Sequence, residues 1–160
     1  MNIQKNIPLA EFTTFHIGGS ADLFVIVSSR EELLEAIRFA QGKGIDFFVL
    51  GTGANILVGD KGFRGLVIKN EAKRMGMGGG EGKNKFITVE SGATIAELIN
   101  FTKEKGLSGF EHFAGIPSSV GGALWQNLHF LSPDRSRTVF ISEMLEKAEI
   151  ISVLSSKYQV

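Results

Sequence analysis

Glycine-rich loops constrain this chain more than any other feature. One is Gly51-Thr52-Gly53-Ala54-Asn55, directly after the apolar run Phe47-Phe48-Val49-Leu50. The other is Gly115-Ile116-Pro117-Ser118-Ser119-Val120-Gly121-Gly122-Ala123. Small residues let a ligand approach backbone that a Cβ would otherwise cover. Successive backbone N–H groups form concavities that hold anions such as diphosphates. A single loop of this kind also serves as a plain turn between strands, whereas a pair in one chain points to a shared ligand. On this reading each loop offers free N–H groups, and a side chain at Gly53 obstructs the anion. Glycine makes up 20 of the 160 residues, well above the usual ~7%, and it gathers at turns and in these loops.

The segments around the loops alternate strand and helix patterns. Residues 21–27 are rich in β-branched and aromatic side chains and read as a strand. Ser29 and Glu32 form a capping box ahead of a helix that lines up Leu33, Leu34, Ile37 and Ala40 and stops at Gly42. Residues 45–50 carry a buried-strand pattern, and 56–58 and 65–68 are short strand candidates. Residues 73–85, holding Gly76, Gly78, Gly79, Gly80 and Gly82, predict an exposed hairpin tip or loop. A strand follows at 86–89. Thr94 with Glu97 makes a second capping box, ahead of a helix striped by Ile95, Leu98 and Ile99 and stopped at Gly106. Residues 123–130 read as helical or irregular, and 138–141 and 148–154 as strands. The alternation predicts an α+β or α/β domain.

Known phosphate motifs do not account for the loops. A dinucleotide fingerprint needs a third glycine where Ile56 stands and a helix opening from the loop. A Walker A reading of Gly82-Lys83 fails at Met77 and at Asn84. What remains is a strand–loop–strand cradle. The 17 basic and 17 acidic residues cancel, which leaves no electrostatic footprint for nucleic acid. With no cysteine there is no disulfide, thiolate or cysteine–metal chemistry, and a reducing cytoplasmic setting fits. Neither a secretory leader nor an apolar run of the ~18 residues needed to span a bilayer is visible, so no membrane partner is expected. His16, His112 and His129 are too dispersed for a metal site, and none is assigned. Glu111 and Asp134 read as solvated loop carboxylates, Trp125 as a core or interface residue, and Arg135-Ser136-Arg137 as an exposed turn.

In order along the chain, several segments resemble one family. Thr14-Phe15-His16-Ile17-Gly18-Gly19-Ser20-Ala21-Asp22 is similar to its N-terminal Thr-Phe/Tyr-x-x-Gly-Gly-x-Ala segment. Gly51-Thr52-Gly53-Ala54-Asn55-Ile56-Leu57 is similar to its Gly-x-Gly-Ser-Asn-hydrophobic loop, with Ala54 in place of Ser. Arg64-Gly65-Leu66-Val67-Ile68 and Ser91-Gly92-Ala93 follow in the expected order. Residues 114–123 resemble its Ala/Cys-Gly-Ile-Pro-Gly-x-Val-Gly-Gly-Ala signature, with Ser118 at a common glycine. The family is that of UDP-N-acetylenolpyruvoylglucosamine reductase (UDP-N-acetylmuramate dehydrogenase) of peptidoglycan synthesis.

The resemblance implies an α+β fold, the vanillyl-alcohol-oxidase-type (PCMH-type) FAD-binding domain of two small α/β lobes, about 1–70 and about 71–160. It implies FAD as the shared ligand of the loops. Gly51, Thr52, Gly53, Ala54, Asn55, Ile56 and Leu57 would hold the diphosphate. Gly115, Ile116, Pro117, Ser118, Ser119, Val120, Gly121, Gly122 and Ala123 would line the flavin and ribityl chain, with Asn127 nearby. The family passes hydride from NADPH to FAD and on to the enolpyruvyl double bond.

The chain departs from the family after Ala123. Where Asn-Ala-Gly-Ala-Tyr-Gly is the common continuation, this chain has Asn127-Leu128-His129-Phe130-Leu131-Ser132-Pro133-Asp134, with Trp125-Gln126 before it. The family's later Tyr-Arg pair and its substrate domain, with a Ser proton donor and a Glu, have no counterpart; Tyr158 is followed by Gln159. No catalytic residue is assigned. The expectation is therefore a FAD-binding portion without its substrate domain, for which NADPH and the UDP-sugar are partners only if that domain is supplied. A non-catalytic flavin-binding module, or an apo remnant of such a domain, is the alternative.

Overall fold

The computed structural model describes residues 1–79, 85–132 and 134–151. Strands β1 (Gln4–Pro8), β2 (Ser20–Val27), β3 (Phe47–Leu50) and β4 (Phe63–Asn70) form one sheet in the order β1-β2-β4-β3. Both β2 and β3 run parallel to β4, while β1 is antiparallel to β2. Helix α1 (Arg30–Lys43) makes the crossover from β2 to β3. Successive strand residues face opposite sides of a sheet, and the packing follows that alternation. Val25, Val27, Leu66 and Ile68 meet Leu33, Ala36, Ile37 and Ala40 of α1 on one face. Phe24 and Val67 point the other way and pack with Leu9, Ala21 and Leu50. Each fully buried Leu, Ile, Val or Phe contributes about 1.5–3 kcal/mol.

A second set of elements follows. Antiparallel strands β5 (Met75–Gly78) and β6 (Phe86–Val89) pair, so residues 75–78 of the anticipated tip are strand, while 80–84 lie outside the described residues. Helix α2 (Ile95–Glu104), the short helix α3 (Val120–Trp125), and the antiparallel pair β7 (His129–Leu131) and β8 (Thr138–Phe140) complete it. Their core gathers Ala93, Ile95, Leu98, Phe113, Val120, Ala123, Val139 and Ile141. Among the described residues no helix is long and apolar enough to cross a membrane.

Several boundaries differ from the pattern reading, each for a local reason. Helix α1 runs through Gly42 and ends at Gly44, whose φ of 63° lets its N–H return to the carbonyls of Ala40 and Gln41. Ser29 does cap α1, but the Glu32 carboxylate reaches Ser28 N–H and Oγ and not the cap residue itself. The capping box of Thr94 and Glu97 is complete. Residues 56–58 form no strand: Ile56 and Val58 are apolar because they pack under the β1–β4 sheet, without a ladder partner. Helix α3 begins inside the second loop, where Ser119 caps it. Residues 148–151 have no regular structure, and 152–154 lie outside the described residues.

Candidate functional site

The first glycine loop leaves β3 at Leu50 with three of its carbonyls committed. Lys69 Nζ donates to Gly51 O at 2.5 Å, Thr14 N–H donates to Gly53 O at 3.1 Å, and Thr14 Oγ1 donates to Ala54 O at 3.3 Å. Its N–H groups are not committed. From Gly51 to Leu57, no backbone N–H makes a close, well-aligned hydrogen bond to the protein among the described residues, with residues 54–55 forming a turn. Backbone donors left in this way pair with water or with a ligand, and a succession of them makes a surface suited to an anion. Asn55 is exposed, with its carboxamide available beside them.

The fold itself requires glycine at position 53. Its φ is 72°, and a Cβ there would run into the Phe12 carbonyl oxygen, inside the protein. A side chain at this position meets the segment that carries Thr14 before it meets any ligand.

The second loop is built differently, which corrects the picture of two open cradles. Its N–H groups are largely used internally. Ile116 donates to Phe113 O, Ser118 to Ile116 O, Val120 to Ala93 O, Gly121 to Ser91 O and Ala123 to Ser119 O. The Gly122 N–H goes to Ser119 Oγ at 3.2 Å. Only Gly115 and Ser119 keep an N–H without an acceptor among the described residues. Gly121 is small because it packs on Ser91, whose Cβ would lie 3.0 Å from an added Cβ. Pro117 and Ser118 are held by bonds from Thr52 Oγ1 to Pro117 O, 2.8 Å, and from Ile95 N–H to Ser118 O, 2.9 Å. This loop is therefore a firm wall with few donors.

The loops meet. Besides the Thr52–Pro117 bond, Gly51 has no room for a Cβ because the Ser119 hydroxyl occupies that space. Asn127 sits at the end of α3 with φ 46°, and its Oδ1 accepts from Ser142 N–H at 3.3 Å. Two cavities flank the first loop. An apolar one of about 180 Å³ is walled by Leu9, Phe48, Ile56, Leu57, Val58 and Phe63. A more open one of about 290 Å³ is lined by Phe12 and by the polar residues Glu11, Thr13, Thr14, His16, Thr52 and Lys69. Partial burial holds the Lys69 ammonium below the usual lysine range, with Glu71 opposing that shift and Lys73 adding to it.

Other residues singled out by the sequence lie apart from this geometry. Trp125 is 90% exposed, so it is not a core residue. His129 packs against Phe140 with ring centroids 5.4 Å apart. Asp134 is held down to about 2 by donors from Ser132 Oγ and from Ser136 Oγ and N–H, which organise a turn. Pattern reading missed Thr14 and Lys69 as site residues. Thr14 was visible only as part of an N-terminal motif, and no local signal marks Lys69.

Residues 21–151 match the family model described as FAD binding domain. UDP-N-acetylenolpyruvoylglucosamine reductase of Bacillus subtilis is 40% identical over 93% of this chain and 46% of its own length. The reductase of Desulforamulus reducens is 43% identical over 79% of this chain and 41% of its own length. The chain thus spans under half the length of these relatives. Among solved structures, the UDP-N-acetylenolpyruvylglucosamine reductase of Thermus caldophilus superposes with TM-score 0.61 at 26% identity, over 89% of this chain and 54% of that one. A solvent-stable cholesterol oxidase shares the fold, with TM-score 0.60 at 18% identity over 78% of this chain and 23% of its own.

Proposed function

This chain belongs to the FAD binding domain family, and we propose from that premise that it is the FAD-binding portion of a UDP-N-acetylenolpyruvoylglucosamine reductase. The observation that carries the reading is the run of unpaired N–H groups at residues 51–57, with three of its carbonyls drawn to the opposite side. That arrangement fits a diphosphate, which brings acceptors only. The Asn55 carboxamide adds a further donor at the same edge.

The second loop supplies the wall. Residues 115–123 line the flavin and ribityl chain in this proposal, with the free N–H groups of Gly115 and Ser119 as its donors and Asn127 at its far end. A flavin, when bound, supplies hydride transfer, and the protein supplies binding, orientation and electrostatics. The chain's own residues then hold the diphosphate, fix the cofactor between the touching loops and keep water off its buried side. The separate cores of the β1–β4 sheet and of the elements from β5 onward support a division into two lobes near residue 70.

NADPH as hydride source and UDP-N-acetylenolpyruvoylglucosamine as acceptor are the proposed substrates. Peptidoglycan synthesis in the cytoplasm, and through it cell shape and division, is the proposed setting. Reduction of the enol ether needs a proton donor opposite the hydride face, and no residue of this chain is assigned to that role. The activity is accordingly proposed for the chain together with the counterpart of the relatives' remaining length. Reconstitution with FAD followed by a visible spectrum tests the cofactor, and a protein that stays colourless overturns it. NADPH oxidation that depends on the enolpyruvyl substrate tests the reductase assignment. Flavin uptake without such turnover, even with the remaining length supplied, favours a non-catalytic flavin module.

A further inference from the structure

Peptide geometry links the bonds behind the first loop to the donors on its front. A planar trans peptide sets the carbonyl of one residue opposite the N–H of the next. Pulling the Gly51 carbonyl inward therefore turns the Thr52 N–H outward. The same holds for Gly53 with Ala54 N–H, and for Ala54 with Asn55 N–H. Lys69 holds the first of these carbonyls and Thr14 holds the other two. We propose that Lys69 and Thr14 are positioning residues for the anionic group of the ligand: they set the polarity of the loop, and Lys69 also supplies the counter-charge. The inference rests on reading residues 51–57 as a diphosphate cradle, and it assigns work to two side chains outside that loop.

The surroundings of Lys69 support a role as counter-charge. It is half-buried on β4, between Leu50 of β3 and Ile26 of β2 in the ladder. Among the described residues no carboxylate forms an ion pair with it. Glu11 and His16 share its cavity, and Glu71 and Lys73 are the charges that act on it along the chain. A partly desolvated cation with a carbonyl but no carboxylate beside it is unfavourable in the empty protein, and an anion across the loop removes that penalty.

The test compares the parent chain with Lys69→Met, Lys69→Arg and Thr14→Val. FAD affinity is read by flavin fluorescence over a range of salt, and inorganic pyrophosphate is titrated while the amide resonances of Thr52, Ala54 and Asn55 are followed. K69M is expected to weaken FAD by about tenfold or more, to flatten the salt dependence, and to leave the melting temperature of the empty protein unlowered. K69R restores most of the affinity. T14V weakens FAD by about threefold, as loss of a neutral hydrogen bond does, with the salt slope kept. If K69M does not fold, Lys69→Gln carries the same salt-slope expectation. FAD binding by K69M within about threefold of the parent, or with the parent's salt slope, overturns the inference. A parent that ignores FAD while pyrophosphate moves those amides, in the parent and not in K69M, overturns the cofactor reading and keeps the inference. Amides that pyrophosphate moves equally in both, or in neither, overturn the inference.

Discussion

Replacing Gly53 with alanine separates a glycine required by the fold from one required by the ligand. The residue sits at φ 72°, and its Cβ would overlap the Phe12 carbonyl oxygen, with Phe12 C and Thr13 Cα each at 3.0 Å. Left-handed backbone costs a residue with a Cβ about 1–2 kcal/mol. The overlap is with backbone, so relief requires the Phe12–Thr13 segment to move, at about 1–3 kcal/mol by analogy with overpacked cores. The total is about 2–5 kcal/mol, a large share of the ~5–15 kcal/mol that holds a domain folded. Gly115 provides the control. Its φ is 83° and nothing lies within 4 Å of an added Cβ, so Gly115→Ala carries the strain alone. Urea unfolding of both variants measures the difference, with midpoints shifted and slopes unchanged. G53A is expected to lose about 1–3 kcal/mol more than G115A. Equal losses would refute the reasoning, and so would a G53A as stable as the parent that no longer takes up FAD.

The contact between the loops predicts a coupled pair. Gly51→Ala collides with the Ser119 hydroxyl, which caps α3 through Gly122 N–H, so displacing it costs about 1 kcal/mol of cap energy. In the double variant with Ser119→Ala the second change adds less than it does alone, and thermal melts showing simple additivity would contradict the contact. Asp134, hydrogen-bonded by Ser132 and Ser136, should titrate near 2 in a carboxyl NMR titration. Because its folded pKa lies below the model value of 3.8, its contribution to stability is complete above that value and is lost as pH falls through about 2. A midpoint near 3.8 would mean that the Ser132–Ser136 turn does not hold in solution.

Much of this architecture is legible because local chemistry decides it. The alternation of Phe24, Val25 and Val27 marks both faces of β2, and Thr94 with Glu97 announces α2 before its first turn. Both glycine loops stand out by composition alone. What composition does not reveal is which backbone groups tertiary contacts have already used. The second loop looks as open as the first, yet Ser91, Ala93 and Ser119 consume its donors. The first loop stays open because its carbonyls, not its N–H groups, find partners, and those come from Thr14 and Lys69, distant in sequence. For the same reason Ile56 and Val58 mimic a strand: burial beneath a sheet selects apolar residues whether or not a ladder partner is present.

Amide hydrogen exchange at residue resolution, with and without FAD, tests the central claim most directly. The account predicts that the N–H groups of residues 51–57 exchange fast in the empty chain, because no acceptor protects them, and slow markedly when FAD is bound. The N–H groups of Val120, Gly121 and Ala123 should be protected in both states, since the protein already satisfies them. Bound FAD that leaves residues 51–57 unprotected would contradict the cradle, and protection of those amides in the empty chain would contradict the geometry on which it rests.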